Sequence, residues 1–365
     1  MEKESEFKNT LIVHEGISQP PSINPELLRK TAARKKKKYS VDAFVDGIIS
    51  GNRTILSQAI TLVESSLQRH TDEAQEILER CLPYGSNSLR IGITGVPGAG
   101  KSTFIETLGL YLAGEGRKLA VLAIDPSSSN TSGSILGDKT RMEQLSVHPN
   151  AYIRPSPSAG TLGGVARKTR ESIILCEAAG FDTILVETVG VGQSETAVHS
   201  MVDVFLLLML AGAGDELQGM KRGIMEMADI IAITKADGQN EMTAMGARVL
   251  YENALNLFPI GPSGWKPKVL TCSAKENKGI RELWEVINYY HSFTSKSGFF
   301  EQQRKQQAVI RMHDTISEYL RNNFYNDKAI SKLSPELESK LNKGSITSYK
   351  AAKILIDKYC NGRGC

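Results

Sequence analysis

The chain has 365 residues, 41% of them hydrophobic and 23% charged, enough for a large α/β body with helical extensions and a core that needs no staples. A net charge of +4 is too small for the concentrated basic footprint of a nucleic-acid binder, so no nucleic-acid partner is expected. The five cysteines (Cys81, Cys176, Cys272, Cys360 and Cys365) are odd in number, scattered and without a CxxC pair, which excludes a disulfide scaffold and reads as reduced thiols in a cytoplasmic protein.

In chain order, residues 1–39 carry no sustained periodicity and read as a flexible arm. Their basic run, Arg34 to Lys38, reads as a solvated face, and the acidic start MEKESEFKNT predicts neither a secretory signal nor a mitochondrial presequence. Residues 40–88 form a small helical domain. Val41, Phe44, Val45, Ile48 and Ile49 fall at helical spacing, with Ser40 as N-cap and Gly51 as stop. A second helix carries Ile55, Leu56, Ala59, Ile60 and Val63, and a third carries Ala74, Ile77, Leu78 and Cys81, ended by Pro83 and Gly85.

From residue 89 to 292 strand, loop and helix alternate. The predicted strands are LRIGIT, KLAVLAI, AYIRP, DTILVE, VFLLLML, IIAIT and KVLTCS, and the main helices are Lys101–Ala113, Gly164–Ala179, Glu241–Leu257 and Gly279–Tyr290. This rhythm predicts an α/β fold with a mostly parallel sheet flanked by helices, and ligands outside the carboxyl ends of the strands. The most apolar run, VFLLLMLAGAG, is too short to span a bilayer and reads as a buried parallel strand, so no membrane partner is expected. Residues 293–365 form a C-terminal helical arm. Its stripe of Val309, Met312, His313, Ile316, Tyr319 and Leu320 must be buried on its own body or on a second subunit; we favour a homodimer.

The chemistry begins at GVPGAGKS, which fits G-x-x-x-x-G-K-[ST] between a strand and a helix. The segment Gly95, Val96, Pro97, Gly98, Ala99, Gly100, Lys101, Ser102 and Thr103 is expected to cradle phosphates through backbone N–H groups at a helix N-terminus. Lys101 is expected to reach the β- and γ-phosphates and Ser102 to ligate Mg²⁺. Asp125, at the end of the next strand, can hold a metal-bound water, and Asp138 follows in the same long polar segment; a turn residue and a surface acid are the plain alternatives. Glu187 ends a buried strand in ILVETVGVGQSE, where an acid near Mg²⁺ belongs. Gly190 can offer its amide to the γ-phosphate, Gln193 can orient water, and Glu195 reads as a cap on the next helix.

TKAD stands where guanine-reading proteins carry N-K-x-D, with Thr234 in place of Asn, then Lys235 and Asp237. The Asp237 carboxylate can accept from guanine N1–H and N2–H₂, a pairing that adenine cannot make. Ser273, Ala274 and Lys275 follow the last strand, where such proteins contact guanine O6. The two elements together point to GTP.

With these motifs the chain resembles the MeaB/ArgK-type P-loop GTPases, the G-protein chaperones of methylmalonyl-CoA mutase, whose mitochondrial counterpart underlies the cobalamin-A class of methylmalonic aciduria. The resemblance rests on GNRTILSQAITLVES, GITGVPGAGKSTFIE, DPSSSNTSGSILGDKTRM, VETVGVGQSE, GAGDELQGMKRGIMEMADI and TKADG, and spans roughly residues 50–292. It implies a dimeric GTP hydrolase of low intrinsic rate, stimulated by a partner enzyme that uses adenosylcobalamin, with Mg²⁺ as cofactor and no cobalamin held by this chain itself. It also implies that Asp125, Asp138 and Glu187 surround Mg²⁺ and the attacking water, and that Gly212 to Lys221 form a further switch loop with Lys221 as its reporter. Thr234 departs from the family's usual Asn. Two other readings are a small-molecule kinase, for which no acceptor segment is visible, and a metallochaperone GTPase, for which the six isolated histidines offer no cluster.

Overall fold

A computed structural model describes residues 39–65, 67–85, 88–124, 142–155, 162–188, 194–211 and 222–361. Seven parallel strands form one sheet: β1 (Leu89–Gly95), β2 (Leu119–Ile124), β3 (Ala151–Arg154), β4 (Thr183–Thr188), β5 (Val204–Leu210), β6 (Ile230–Thr234) and β7 (Lys268–Thr271), in the order β3-β2-β4-β1-β5-β6-β7. The seven strands lie where the hydrophobic runs predict them. Strands β2, β4 and β6 are buried at every residue, as expected of runs covered on both faces.

The order explains where a ligand belongs. β1 leads to β2, which lies on the far side of β4, so the direction of winding reverses at the carboxyl end of β1. The register brings Glu187 opposite Ile93 and Ala123, Leu208 opposite Gly95, and Thr234 opposite Leu210. The chemistry-bearing residues therefore leave the sheet at one edge.

Helices cover the sheet: α4 (Lys101–Gly114), α5 (Glu143–Val147), α6 (Leu162–Ala178), α7 (Ser194–His199), α8 (Arg222–Met227), α9 (Glu241–Leu255) and α10 (Ile280–Lys296). Helix α10 runs past Tyr290 because its apolar face continues: Tyr290 and Thr294 are both buried, and Trp265 packs edge-on to Tyr290 with ring centroids 5.2 Å apart. Before the sheet, α1 (Val41–Ile49), α2 (Arg53–Glu64) and α3 (Gln68–Cys81) bury the residues named from their periodicity, with Val41, Ile49 and Ile55 as the exceptions. Asn52 caps α2 by accepting from Thr54 N (3.0 Å) and Ile55 N (3.2 Å), and Arg154 of β3 reaches Glu64 at its other end.

After α10 come α11 (Phe299–Tyr325), α12 (Lys328–Asn342) and α13 (Ser348–Asn361). One side of α11 packs on α6 and α10. Its apolar stripe is not covered by the described residues: Val309, Met312, Ile316, Tyr319 and Leu320 are each between 47% and 66% exposed.

Candidate nucleotide site

The loop from β1 to α4 is shaped by glycine. A Cβ on Gly95 would lie 2.3 Å from Leu208 O, so only glycine lets β1 pass β5 at this point. Gly98 and Gly100 have φ of +79°, the left-handed conformation that turns successive N–H groups to one side. Helix α4 then starts at Lys101, with Phe104 N donating to Gly100 O at 2.8 Å. The half-buried Lys101 folds over this loop, its Nζ 2.9 Å from Gly95 O and 3.3 Å from Val96 O. Burial pulls its pKa below the usual lysine value, while the charges of Glu187 and Glu195 act against that shift.

Ser102 Oγ donates to Glu187 Oε1 at 3.1 Å, joining the start of α4 to the end of β4. Next to it Thr188 Oγ1 donates to Thr94 Oγ1 at 2.8 Å, both fully within the sheet. A serine hydroxyl and a carboxylate side by side are hard oxygen donors. They suit Mg²⁺, which takes one or two protein carboxylates and leaves its other positions to water and phosphate oxygens. Among the described residues no cluster of three or more His, Cys, Asp or Glu side chains forms a self-sufficient metal cage. Asp125, Asp138, Gly190, Gln193 and Lys221 lie outside the described residues.

The second group of residues leaves β6 and β7. Thr234 is buried, and its Oγ1 donates to Ala99 O (2.8 Å) with Met209 O at 3.1 Å. A hydroxyl here thus reaches from the TKAD segment to the phosphate loop itself. Lys235 has φ of +55°, a strained turn whose carbonyl accepts from Asn240 Nδ2 at 2.7 Å. Ala236 N donates to Cys272 O (3.1 Å), and Ser273 Oγ donates to Asp237 Oδ2 at 2.5 Å while accepting from Glu276 N. Ser273 and Lys278 exchange both backbone hydrogen bonds, closing the SAKENK turn. Gly279 closes it further: a Cβ there would lie 2.4 Å from Thr271 O. Thr107 of α4 donates to Ala274 O at 3.2 Å.

The structure therefore brings Gly95–Thr103, Glu187, Thr234, Lys235, Asp237 and Ser273–Lys275 to one edge of the sheet. Three supporting residues escaped the sequence motifs. Thr107 lies one turn along α4 from Thr103, Asn240 sits just past Asp237, and Thr94 is an ordinary strand threonine. Only the helical spacing of Thr107 offered a signal.

A family model described as "Methylmalonyl Co-A mutase-associated GTPase MeaB" matches residues 56–329. The chain is 48% identical over 318 residues to a probable GTPase of Mycobacterium tuberculosis, spanning 87% of this chain and 95% of that protein. It is 50% identical over 275 residues to the GTPase ArgK of Escherichia coli (75% and 83% covered). It is 44% identical over 334 residues to the mitochondrial methylmalonic aciduria type A homolog of Mus musculus (89% and 80% covered). A crystal structure described as an LAO/AO transport system kinase superposes with a TM-score of 0.70 at 38% identity, covering 87% of this chain and 97% of that one.

Proposed function

Since the chain belongs to the MeaB family of methylmalonyl-CoA mutase-associated GTPases, we propose that it spends GTP as a timer, gating adenosylcobalamin loading into a partner acyl-CoA mutase and protecting that enzyme. The chain is a GTP hydrolase, as its relatives are named; the client, methylmalonyl-CoA mutase first, and the gating are our reading. The observation that carries it is the Thr234–Ala99 hydrogen bond. It ties the base-reading segment to the phosphate loop, so that one nucleotide is gripped at both ends.

In this reading the amides of Gly95–Thr103 hold the phosphates, and Lys101 swings from its two carbonyls onto the β- and γ-phosphates. Ser102 and Glu187 hold Mg²⁺, with Asp125 and Asp138 around it and the attacking water; when bound, the ion neutralises charge developing on the transferred phosphoryl group. Gln193 orients the water, and Gly190 senses the γ-phosphate through its amide. Asp237, held in place by Ser273, accepts from guanine N1–H and N2–H₂; Lys235 lays its stem along the base, and Ala274 and Lys275 approach O6. Lys221, in the segment from Gly212, reports the nucleotide state to the partner. The exposed stripe of α11 supports a homodimer, and the free cysteines support a cytoplasmic protein. No helix among the described residues is long and apolar enough to cross a membrane.

The test is steady-state hydrolysis of GTP and ATP with and without methylmalonyl-CoA mutase from the same source. A slow GTP-selective rate that the mutase raises sharply is the expected result; in related enzymes a well-placed partner cation is worth roughly 10³–10⁵. GTP turnover indifferent to that enzyme would send the search to another cobalamin-dependent acyl-CoA mutase. Preference for ATP, or transfer of phosphate to a small acceptor, would replace the timer with a kinase.

A further inference from the structure

Away from the nucleotide edge, a cavity of about 30 Å³ lies between α6, the end of α7 and α11. Its polar lining is four guanidinium groups (Arg90, Arg170, Arg304 and Arg311) with the Ser200 hydroxyl and the Gln307 amide, and no carboxylate lines it. The acids of this region stand behind the arginines. Glu177 holds the Nε and Nη2 edge of Arg90 (2.8 and 2.9 Å), Asp203 holds the same edge of Arg304, and Asp314 takes Nη1 of Arg170 at 2.9 Å.

Two atoms of the lining are left open. Arg170 has a side chain only 9% exposed; Nη2 donates to Ser200 Oγ at 2.7 Å, but its Nε, a donor, is buried with no partner among the described residues. Gln307 donates from Nε2 to Val202 O at 2.7 Å, which fixes its orientation, and its buried Oε1, an acceptor, is likewise unmatched. No hydrogen bond or ion pair of the Arg311 side chain is found among the described residues, and burial together with Arg90 and Arg170 pulls its pKa below the usual arginine value, outweighing the charges of Glu171 and Glu177. A bridging water could serve Nε and Oε1, but it would leave the excess positive charge around Arg311, which Glu171 and Glu177 only partly offset, without a counter-ion in the cavity.

We propose that this cavity is a binding site for a small protonated oxyanion, of which inorganic phosphate is the type. Its charge answers Arg311, its oxygens accept from Arg170 Nε and the neighbouring guanidiniums, and its P–OH donates to Gln307 Oε1. The volume holds two to three water-sized atoms at about 10–15 Å³ each, so the anion is seated by its oxygens and not wholly enclosed. A wider groove of about 740 Å³ shares Arg170 and Ser200 with it and adjoins it there. Bound there, the ion joins α6 and α11 to the end of α7, the helix that follows the Gly190–Gln193 segment.

The experiment is calorimetric titration of the full chain with inorganic phosphate at pH 7, with Mg·GDP saturating so that the phosphate loop is occupied, and with chloride holding ionic strength constant. We expect one phosphate per chain, and sulfate, which has no proton to give Gln307, weaker by roughly tenfold or more. Arg311→Gln should weaken phosphate by a similar factor while leaving GDP affinity and GTP turnover unchanged. Phosphate that binds no better than chloride overturns the site, and so does Arg311→Gln binding phosphate as the parent does. Sulfate bound as tightly as phosphate overturns the part assigned to Gln307 and with it the protonated anion; this comparison needs no variant, so it stands even where Arg311→Gln does not fold.

Discussion

On the proposed base side, between the ends of β6 and β7, polar groups are tied to one another before any ligand is considered: Thr234 to Ala99, Asn240 to Lys235, Ser273 to Asp237, and Ser273 to Lys278. On the phosphate side, between β1 and β4, Lys101 rests on two carbonyls of its own loop, and Ser102 and Glu187 share a single hydrogen bond. The difference is one of task. Base recognition needs a carboxylate held in one place, because selectivity comes from acceptors that cannot rearrange to suit adenine. Phosphate chemistry needs groups that change partner as the γ-phosphate comes and goes, so its lysine is held by contacts that a phosphate oxygen can replace.

The largest effect should come from breaking the phosphate side. Lys101→Ala should cut GTP hydrolysis by at least roughly 10²–10³-fold, while the unfolding temperature stays close to that of the parent. The second half follows from the electrostatics: burial disfavours the Lys101 charge more than Glu187 and Glu195 favour it, so its removal costs the fold little. A thermal melt and a turnover assay on the same sample decide it. Substantial retained turnover would take Lys101 out of the machinery, and a collapsed melting curve would make it a structural residue.

The base side should break differently. Asp237→Asn exchanges a two-oxygen acceptor for an amide whose second position donates, which opposes guanine N1–H and suits the extra carbonyl of xanthine. Discrimination built on such pairs reaches roughly 10⁴-fold, so GTP binding should fall by up to that factor and xanthosine triphosphate should become the better ligand. Ser273 keeps a partner in the variant, since its hydroxyl can donate to the amide oxygen. Competition of both nucleotides against a fluorescent GDP is the measurement, and an unchanged preference would remove Asp237 from base reading.

Much of this was legible in the chain itself, and what was not has identifiable causes. The seven strands announce themselves because a parallel strand buried on both faces must be continuously apolar, as in VFLLLML and IIAIT. The phosphate loop is legible because only glycine tolerates +79° at positions 98 and 100 and the close approach of β5 at 95. Helices α5 and α8, of five and six residues, were not foreseen, since one and a half turns carry too few apolar positions to set a period, and the equally short α7 was announced only by Glu195, which lies in its first turn. Thr107 and Asn240 stayed hidden for another reason: each supports the site through a backbone carbonyl, and a carbonyl leaves no mark in a sequence. The cavity of four arginines is invisible for a third, because Arg90, Arg170, Arg304 and Arg311 are spread over more than two hundred positions and meet only when α11 packs on α6.

The smallest effect, and the one that sharpens the comparison most, is expected at Thr234, the residue that joins the two sides. Thr234→Val keeps the shape and removes the hydroxyl, leaving Ala99 O and Met209 O without that donor inside the protein. An unmet buried acceptor costs about 1–3 kcal/mol, so the melting temperature should fall by several degrees. GTP should bind several-fold more weakly, because the phosphate loop loses its tie to β6. The preference for GTP over xanthosine triphosphate should not move, because Asp237 and Ser273 keep their hydrogen bond. Thr234→Asn supplies the complementary case: its amide can donate to Ala99 O as the hydroxyl does, so affinity should return towards the parent if the tie is what matters. A Thr234→Val protein that binds GTP as tightly as the parent would show that the two sides act independently. One that loses base preference would show that position 234 serves recognition directly, not through the phosphate loop.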